Sequence, residues 1–244
     1  WPKLQVLGSF RQFACIAYGW RKKIPQPQKS FFQRPWMLAH ILTRHGPLCA
    51  SYEAPGGAFL SEGDSPSFMH QIDVGLRSLE HPSWGGWGGR FVREEAGNNV
   101  WRGATDDGNL DKPIWRWAEA FQNDWAARAD WCVAPQYADA NHPPIVEASA
   151  LEVVAAPGDA VALDVSRSTD PDGDKLSFRW WQYREVDTYP GEVEIVDTHR
   201  ARASLTVPQG AKPGATIHLI AEVTDDGSPP LTRYARVVVT VDRK

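Results

Sequence analysis

The chain has 244 residues, 42% of them hydrophobic and 23% charged, which is the composition of a folded globular protein and not of a disordered tail. No apolar run approaches the length of about 18 residues that marks a transmembrane helix. Three cysteines without a CxxC spacing do not make a disulfide framework. Tryptophan is abundant, with 12 copies, and so large a side chain usually lies either in a core or on a surface that stacks on a ligand.

The charge is distributed unevenly along the chain. Residues 1–52 contain eight basic side chains and no acidic one, and Glu53 is the first acid. This segment is open to three interpretations: a basic patch for nucleic acid or membrane, a basic leader, or the atypical beginning of a fragment. We adopt the third. Because the whole chain carries a formal net charge of −4, we expect neither a nucleic-acid nor a membrane partner.

The N-terminal half predicts few regular elements. A weak strand over 4–7 is followed by a short helix over 35–44, which has a proline in its first turn and ends at a Gly-Pro pair. The stretch 47–111 is rich in Gly, Pro and Ser and shows little periodicity, so it is predicted to consist of loops. The clearest helix is 113–131, where apolar residues recur every three or four positions and Asp111 is placed to cap the start.

After a proline-punctuated linker over 134–144, the hydrophobic period changes to two. Alternating segments predict strands at 160–165, 176–183, 204–207, 216–223 and 233–241. Six or seven short strands in about 100 residues, without a helical pattern, indicate an antiparallel β-sandwich.

One of these strands carries two adjacent tryptophans, and adjacent residues of a strand face opposite ways. Trp180 is on the same side as Leu176 and Phe178 and is predicted to lie in the core. Trp181 and Tyr183 share the outer face, where an aromatic strip can stack on sugar rings. The alternative is that the N-terminal domain covers this face.

The glycine-rich loop HPSWGGWGGR over 81–90 is a second candidate site. It lacks the GxGxxG and GxxxxGK[ST] patterns of phosphate-binding loops. Two indoles on this backbone, Trp84 and Trp87, would offer flat apolar faces to a sugar or a base, with Arg90 as a hydrogen-bond donor. The alternative is a packed surface loop whose glycines let the backbone pass close to the indoles.

Carboxylates in two places fit a hard cation such as Ca²⁺. Asp64, in a tight acidic turn, offers an oxygen ligand, caps the helix that follows, or does both. Three aspartates at alternate positions, Asp170, Asp172 and Asp174, are followed later by a second Asp-Gly run at 224–227. These runs are either a calcium loop or ordinary turns, since the glutamate and flanking helices of an EF-hand are absent.

Six uncommon strings occur in a characteristic order: EGDSPSF at 62–68, HPSWGGWGGR at 81–90, FQNDWAAR at 121–128, NHPP at 141–144, FRWWQYR at 178–184 and TDDG at 224–227. In this order they resemble a family of bacterial secreted proteins that have a nucleoside hydrolase-like domain followed by an immunoglobulin-like domain. Members of this family are described as cellulose-binding. The resemblance runs from about residue 36 to residue 244, and residues 1–35 are atypical.

The resemblance implies an incomplete nucleoside hydrolase-like α/β domain of three layers over 1–133, the linker, and an all-β immunoglobulin-like sandwich over 145–244. It implies that Asp64 is similar to the late metal-binding aspartate of such enzymes, with calcium as the ion. The early aspartates of that metal cluster have no counterpart, because no Asp precedes Asp64. A secreted or periplasmic location is implied as well.

The resulting functional hypothesis is association with a polysaccharide of the cellulose type. Trp181 and Tyr183 are the preferred sugar-binding residues, and Trp84, Trp87 and Arg90 are the second choice. The alternative is a hydrolase that acts on N-glycosyl or related glycosidic bonds in the full-length parent, and a third hypothesis is a structural spacer. No nucleophile–base motif such as GxSxG or HExxH occurs, so no catalytic residue is assigned.

Overall fold

The computed structural model describes residues 6–8, 24–52 and 65–242. The chain divides into two compact units. One contains Trp1–Asp73 and Arg77–Ala140, and the other contains Val74–Leu76 and Asn141–Lys244. The second unit therefore includes a three-residue segment that lies far from it in sequence. Within the described ranges, no helix has both the length and the apolar character needed to cross a membrane.

In chain order the first unit contains β1 (Val6–Leu7), α1 (Arg34–Met37), α2 (Gly46–Ala50), β2 (Phe91–Arg93), β3 (Val100–Gly103), α3 (Lys112–Trp115) and α4 (Ala118–Trp131). Short 3₁₀-helical turns lie at Gln28–Phe32, Ser65–Gln71, Pro82–Trp84 and Tyr137–Asp139, and a π-helical turn lies at Leu38–Leu42. The three strands form a mixed sheet in which β3 pairs with β1 in parallel and with β2 antiparallel.

The two predicted helices are present in modified form. The first is split into α1 and the π-helical turn, and the second into α3 and α4. Asp111 stands at the start of α3, but its side chain makes no capping hydrogen bond. Instead, the side-chain oxygen of Asn109 accepts hydrogen bonds from the backbone N–H groups of Asp111 and Lys112, at 2.8 and 3.2 Å. Asn109 thus makes the capping hydrogen bonds that were predicted for Asp111.

Helix α4 packs against the α1 region through small side chains. Ala126 and Ala129 are three residues apart and therefore share a face of the helix. They belong to one buried cluster with Met37, Ile41, Leu42 and Cys49. The His45 Nε2 atom lies 2.7 Å from Asp130 Oδ1, so a polar contact joins the same elements. The prediction of loops over 47–111 was wrong for α2, β2 and β3, whose few residues leave no visible period.

The second unit is a β-sandwich, as predicted. It contains β4 (Glu152–Ala155), β5 (Ala160–Asp164), β6 (Ser177–Gln182), β7 (Ile195–Val196), β8 (Arg202–Thr206), β9 (Thr216–Thr224) and β10 (Thr232–Val241). A four-stranded sheet has the order β4-β10-β9-β6, and a three-stranded sheet has the order β5-β8-β7. All pairs are antiparallel except β4 with β10. The sequence did not predict β4 and β7.

Both sheets bury one face in a shared core. Alternate residues of each strand supply it, among them Val161 and Leu163 on β5 and Leu219 on β9. Trp180 is only 2% exposed and belongs to this core, which confirms its predicted position. Its indole N–H donates to the Arg200 carbonyl oxygen at 3.1 Å, so the polar atom of the ring is paired.

The segment Val74–Leu76 lies against strand β10 of the four-stranded sheet. The Tyr234 N–H donates to the Val74 carbonyl oxygen at 2.9 Å, and Arg236 Nε donates to the Leu76 carbonyl oxygen at 2.8 Å. Between them Gly75 has a φ of +88°, and a Cβ atom built there would overlap the Tyr234 carbonyl oxygen. Only glycine fits this close approach in this backbone conformation.

Candidate functional site

The outer face of β6 carries the accessible tryptophan that the sequence predicted. Trp181 is half-buried, and its indole N–H donates to Glu222 Oε1 on β9 at 2.9 Å. Arg179 is opposite Glu222 in the strand register and donates from Nη1 to Glu222 Oε2 at 3.3 Å. The Arg179 side chain is 62% exposed. An indole, a carboxylate and a guanidinium therefore lie side by side on two neighbouring strands.

Tyr183 does not share this accessibility. Its side chain is completely buried, and the guanidinium carbon of Arg236 lies 5.3 Å from the centre of its ring. Arg236 is itself fully buried and binds the Leu76 carbonyl oxygen. The outer face is thus covered along the middle of the sheet, where Val74–Leu76 lies, and Trp181 stands outside that covered part. The expectation of an exposed Tyr183 was wrong.

Arg236 lies beside a buried polar group that includes His218 and Asp187 and that the sequence did not predict. Arg236 Nη1 lies 3.4 Å from His218 Nδ1. Asp187 accepts hydrogen bonds from the His218 backbone N–H and from Gln182 Nε2, both at 2.6 Å. Burial raises the pKa of Asp187 to about 6, although these hydrogen bonds and Arg236 oppose the shift. The sequence sign of this group was an arginine between the alanine and three valines of the stretch 235–239 in β10.

The glycine-rich loop presents one of its two indoles. Trp84 is half-buried, and its ring stacks on the His81 ring with 3.7 Å between centroids. The guanidinium carbon of Arg77 lies 4.8 Å from the centre of the Trp84 ring. Trp84 is therefore held in place by two neighbours while part of its surface stays accessible.

The other two residues predicted in this loop are used inside the first unit. Trp87 is 1% exposed and packs edge-on against Phe121, so it is a core residue and not an accessible stacking surface. Arg90 donates from Nε to Asp106 Oδ1 at 2.8 Å. Asp106 is completely buried and also accepts a hydrogen bond from Arg116 Nη1 at 2.7 Å. The contacts of Arg90 thus stabilise the loop.

Three aspartates of the first acidic run converge, as their spacing indicated. Asp170, Asp172 and Asp174 each offer one carboxylate oxygen, and these oxygens lie within 4.8 Å of one another. Asp170 Oδ1 accepts hydrogen bonds from the backbone N–H groups of Asp172 and Asp174, at 2.9 and 3.1 Å. Desolvation, together with the neighbouring carboxylates, raises the pKa of Asp174.

The second acidic run lies beside the first. Asp225 Oδ1 accepts hydrogen bonds from the Leu231 N–H, the Gly227 N–H and Asn141 Nδ2, at 2.9 to 3.1 Å. Burial raises the pKa of Asp225, and the carboxylate of Asp170 raises it further. The fold thus brings together two runs that are more than 50 residues apart in sequence. Asp64, the other predicted metal ligand, lies outside the described residues.

Two family models match the chain. Residues 1–91 match the model described as cellulose-binding Sde182, nucleoside hydrolase-like domain, and residues 160–241 match cellulose-binding protein Sde0182, C-terminal domain. No curated protein matches the chain.

Solved structures are also similar to the chain. A nucleoside hydrolase-related hypothetical protein from Saccharophagus degradans, described as associated with carbohydrate metabolism, is 32% identical over 99% of this chain, with a TM-score of 0.76. The chain spans 58% of that protein's length. The match to the PKD domain from the KIAA 1837 protein covers 40% of this chain and 84% of that domain's chain, at 23% identity. Its TM-score of 0.31 is too low to bear on function. The chain belongs to the family described as cellulose-binding protein Sde0182, whose two models are a nucleoside hydrolase-like domain and a C-terminal domain.

Proposed function

We propose that this chain associates with a polysaccharide of the cellulose type through the uncovered end of the outer face of its four-stranded sheet. Trp181 is the sugar-stacking residue. The observation that carries the proposal is the half-buried indole, which is fixed by Glu222 and lies beside the exposed Arg179. Membership of a family described as cellulose-binding supports the choice of ligand.

The chemistry of this row suits a sugar chain. A β-linked glucose ring has C–H groups on its faces, which pack on the flat indole, and hydroxyl groups around its edge. Arg179 and Glu222 supply a charged donor and a charged acceptor at the side of the ring, and hydrogen bonds to charged groups are stronger than neutral ones. Because the indole N–H is bound to Glu222, little side-chain freedom remains to be lost on binding.

Depletion from solution by insoluble polysaccharides tests the proposal. The full chain, a Trp181→Ala variant and a Tyr137→Ala variant are each mixed with cellulose, chitin and xylan, and the protein left in solution is measured. Tyr137 is a matched control because it is an exposed aromatic residue, at 63%, outside the proposed site. Cellulose is expected to deplete the wild type and Tyr137→Ala but much less of Trp181→Ala. No depletion of the wild type on any matrix would overturn the proposal.

We also propose a hydrolase activity and secretion for a full-length protein that contains this chain. The match of residues 1–91 to a nucleoside hydrolase-like domain supports hydrolysis of an N-glycosyl or related glycosidic bond by the full-length protein, with Asp64 as one calcium ligand. Release of sugar from nucleoside or aryl glycoside substrates by that protein, and its loss in Asp64→Asn, test this activity. An extracellular polysaccharide ligand supports secretion, which cell fractionation tests.

A further inference from the structure

We propose that the sandwich binds one calcium ion between its two acidic turns, with carboxylate oxygens of Asp170, Asp172, Asp174 and Asp225 as ligands. This site shares no residue with the sugar-binding surface and does not depend on the function proposed for it. It also differs from the metal site that the family resemblance implies at Asp64.

The first observation is the convergence of carboxylates in the 170–174 turn. Calcium binds oxygen at about 2.3–2.6 Å, so two oxygens on one ion are at most about 5 Å apart. The oxygens offered by Asp170, Asp172 and Asp174 lie within 4.8 Å of one another. They therefore already satisfy the geometric condition for sharing one ion.

The second observation is independent of that spacing and concerns Asp225. Its side chain is buried, with 3% exposure, and its Oδ2 atom has no hydrogen-bond partner among the described residues. The carboxylate of Asp170 is close enough to repel that of Asp225, and Asp170 Oδ2 is likewise buried without a hydrogen-bond partner among those residues. Leaving buried carboxylate oxygens unpaired is unfavourable. A cation between them removes both the repulsion and the missing contacts.

The remaining oxygens of both residues hold the turns in shape. Asp170 Oδ1 binds two backbone N–H groups of its own turn. Asp225 Oδ1 binds two backbone N–H groups and the side chain of Asn141. Each carboxylate thus uses one oxygen to fix the backbone, while its other oxygen has no hydrogen-bond partner among the described residues. Because these ligands are already held in place, binding an ion costs less entropy.

The donor set selects calcium over other common ions. All the donors are carboxylate oxygens, whereas zinc sites in proteins usually include nitrogen or sulfur. Magnesium keeps several of its water molecules and demands near-ideal octahedral geometry, whereas calcium accepts irregular sets of six to eight oxygens. Four carboxylates from two turns fit calcium best.

Occupancy of the site also affects the start of the sandwich. The Asn141 side chain donates to Asp225, and the His142 backbone N–H donates to Asp172 Oδ2 at 2.6 Å. A Cβ atom on Gly227 would overlap the Asn141 side chain, so this contact is close. Calcium at the two turns is therefore expected to order the point at which the chain enters the sandwich.

Calorimetry and equilibrium dialysis of the full chain test the site. After treatment with a chelator, addition of millimolar CaCl₂ is expected to raise the melting temperature of the sandwich by about 5 °C or more, because an ion that binds only the folded state stabilises it. Asp170→Asn and Asp225→Asn should abolish this increase. Dialysis against ⁴⁵Ca²⁺ should show one bound ion fewer for Asp170→Asn than for the wild type.

Asp164→Asn is the matched control. Asp164 also shapes a turn, but both of its oxygens are used, one by the Ser166 N–H and the other by Arg202 Nε. It should keep the full calcium response.

The variant Asp64→Asn distinguishes any ion held in the first unit from the ion proposed here. An unchanged melting temperature together with an unchanged ion count in Asp170→Asn would overturn the proposal, and an equal response to Mg²⁺ would overturn the assignment of calcium. If Asp225→Asn does not fold, the comparison of Asp170→Asn with the wild type still tests whether the calcium site exists.

Discussion

The two units of this chain stabilise themselves by different means. The sandwich has long paired strands and one core filled by alternate residues. The first unit has short helices and strands, a small apolar cluster and a completely buried aspartate, Asp106, that accepts hydrogen bonds from Arg90 and Arg116. The comparison shows that regular periodicity suffices to build the sandwich. In contrast, the first unit combines buried apolar side chains with polar contacts such as those of Asp106, whose partners Arg90 and Arg116 are 16 and 10 residues away in sequence.

The largest expected effect comes from Asp106→Asn. The amide turns a donor toward one of two arginines whose side chains are only 11% and 15% exposed, so each guanidinium loses part of its compensation. Breaking a buried ion pair in this way costs about 3–5 kcal/mol of unfolding free energy. Hydrogen exchange should show lower protection in α4 and unchanged protection in β10.

Asp107→Asn is the control for that variant. Asp107 pairs with Lys112, but its side chain is 71% exposed. Loss of an exposed pair of this kind costs about 0.5 kcal/mol. Equal destabilisation by Asp106→Asn and Asp107→Asn would contradict the role assigned to the buried aspartate.

Gly75→Ala tests whether the sandwich also depends on one contact distant in sequence. The new Cβ would overlap the Tyr234 carbonyl oxygen, so Val74–Leu76 would have to leave β10, and we expect a loss of about 3 kcal/mol. Gly214→Ala is the control: it has a similar φ of +80° but no atom near its Cβ, and it should cost about 1 kcal/mol. Urea unfolding measures both values. Equal effects would mean that only backbone strain matters at Gly75.

The smallest effect is a pH dependence within the sandwich. The pKa of Asp187 is about 6 in the folded chain and near the ordinary aspartate value when unfolded, so the folded state holds the proton more tightly. Stability conferred by this group is therefore present at pH 4 and is lost as the pH rises through 6. Relative to Asp187→Asn, the wild type should lose about 1–2 kcal/mol between pH 4 and pH 7. Parallel stability curves for the two proteins would contradict this expectation.

Much of the sandwich could be predicted because its strands are long enough for alternation to be visible. Trp180 was placed in the core and Trp181 on the other face on that basis alone. The strand β7 has only two residues and β4 only four, which is too few for alternation to be visible. The split of the long helix into α3 and α4 was likewise not visible in its apolar spacing.

The candidate site shows the same limit. Alternation assigned Tyr183 to the outer face, but it contains no information about Arg236 and Val74–Leu76, which meet on the same sheet. Burial of Trp87 also depends on a distant partner, Phe121. Local spacing identified the two acidic turns, whereas their proximity follows from strand pairing. The face of a strand on which a side chain lies was therefore predictable from the sequence, whereas the burial of that face by a segment distant in sequence was not.

The central claim is that the sandwich, and not the glycine-rich loop, carries the contact with polysaccharide. Adsorption isotherms on microcrystalline cellulose for the wild type, Trp181→Ala and Trp84→Ala test it most directly, with circular dichroism to show that each variant is folded. We predict that Trp181→Ala weakens binding about tenfold or more, which corresponds to about 1.4 kcal/mol, and that Trp84→Ala leaves it unchanged. Unchanged binding by Trp181→Ala with a loss in Trp84→Ala would contradict the account and assign the contact to the loop.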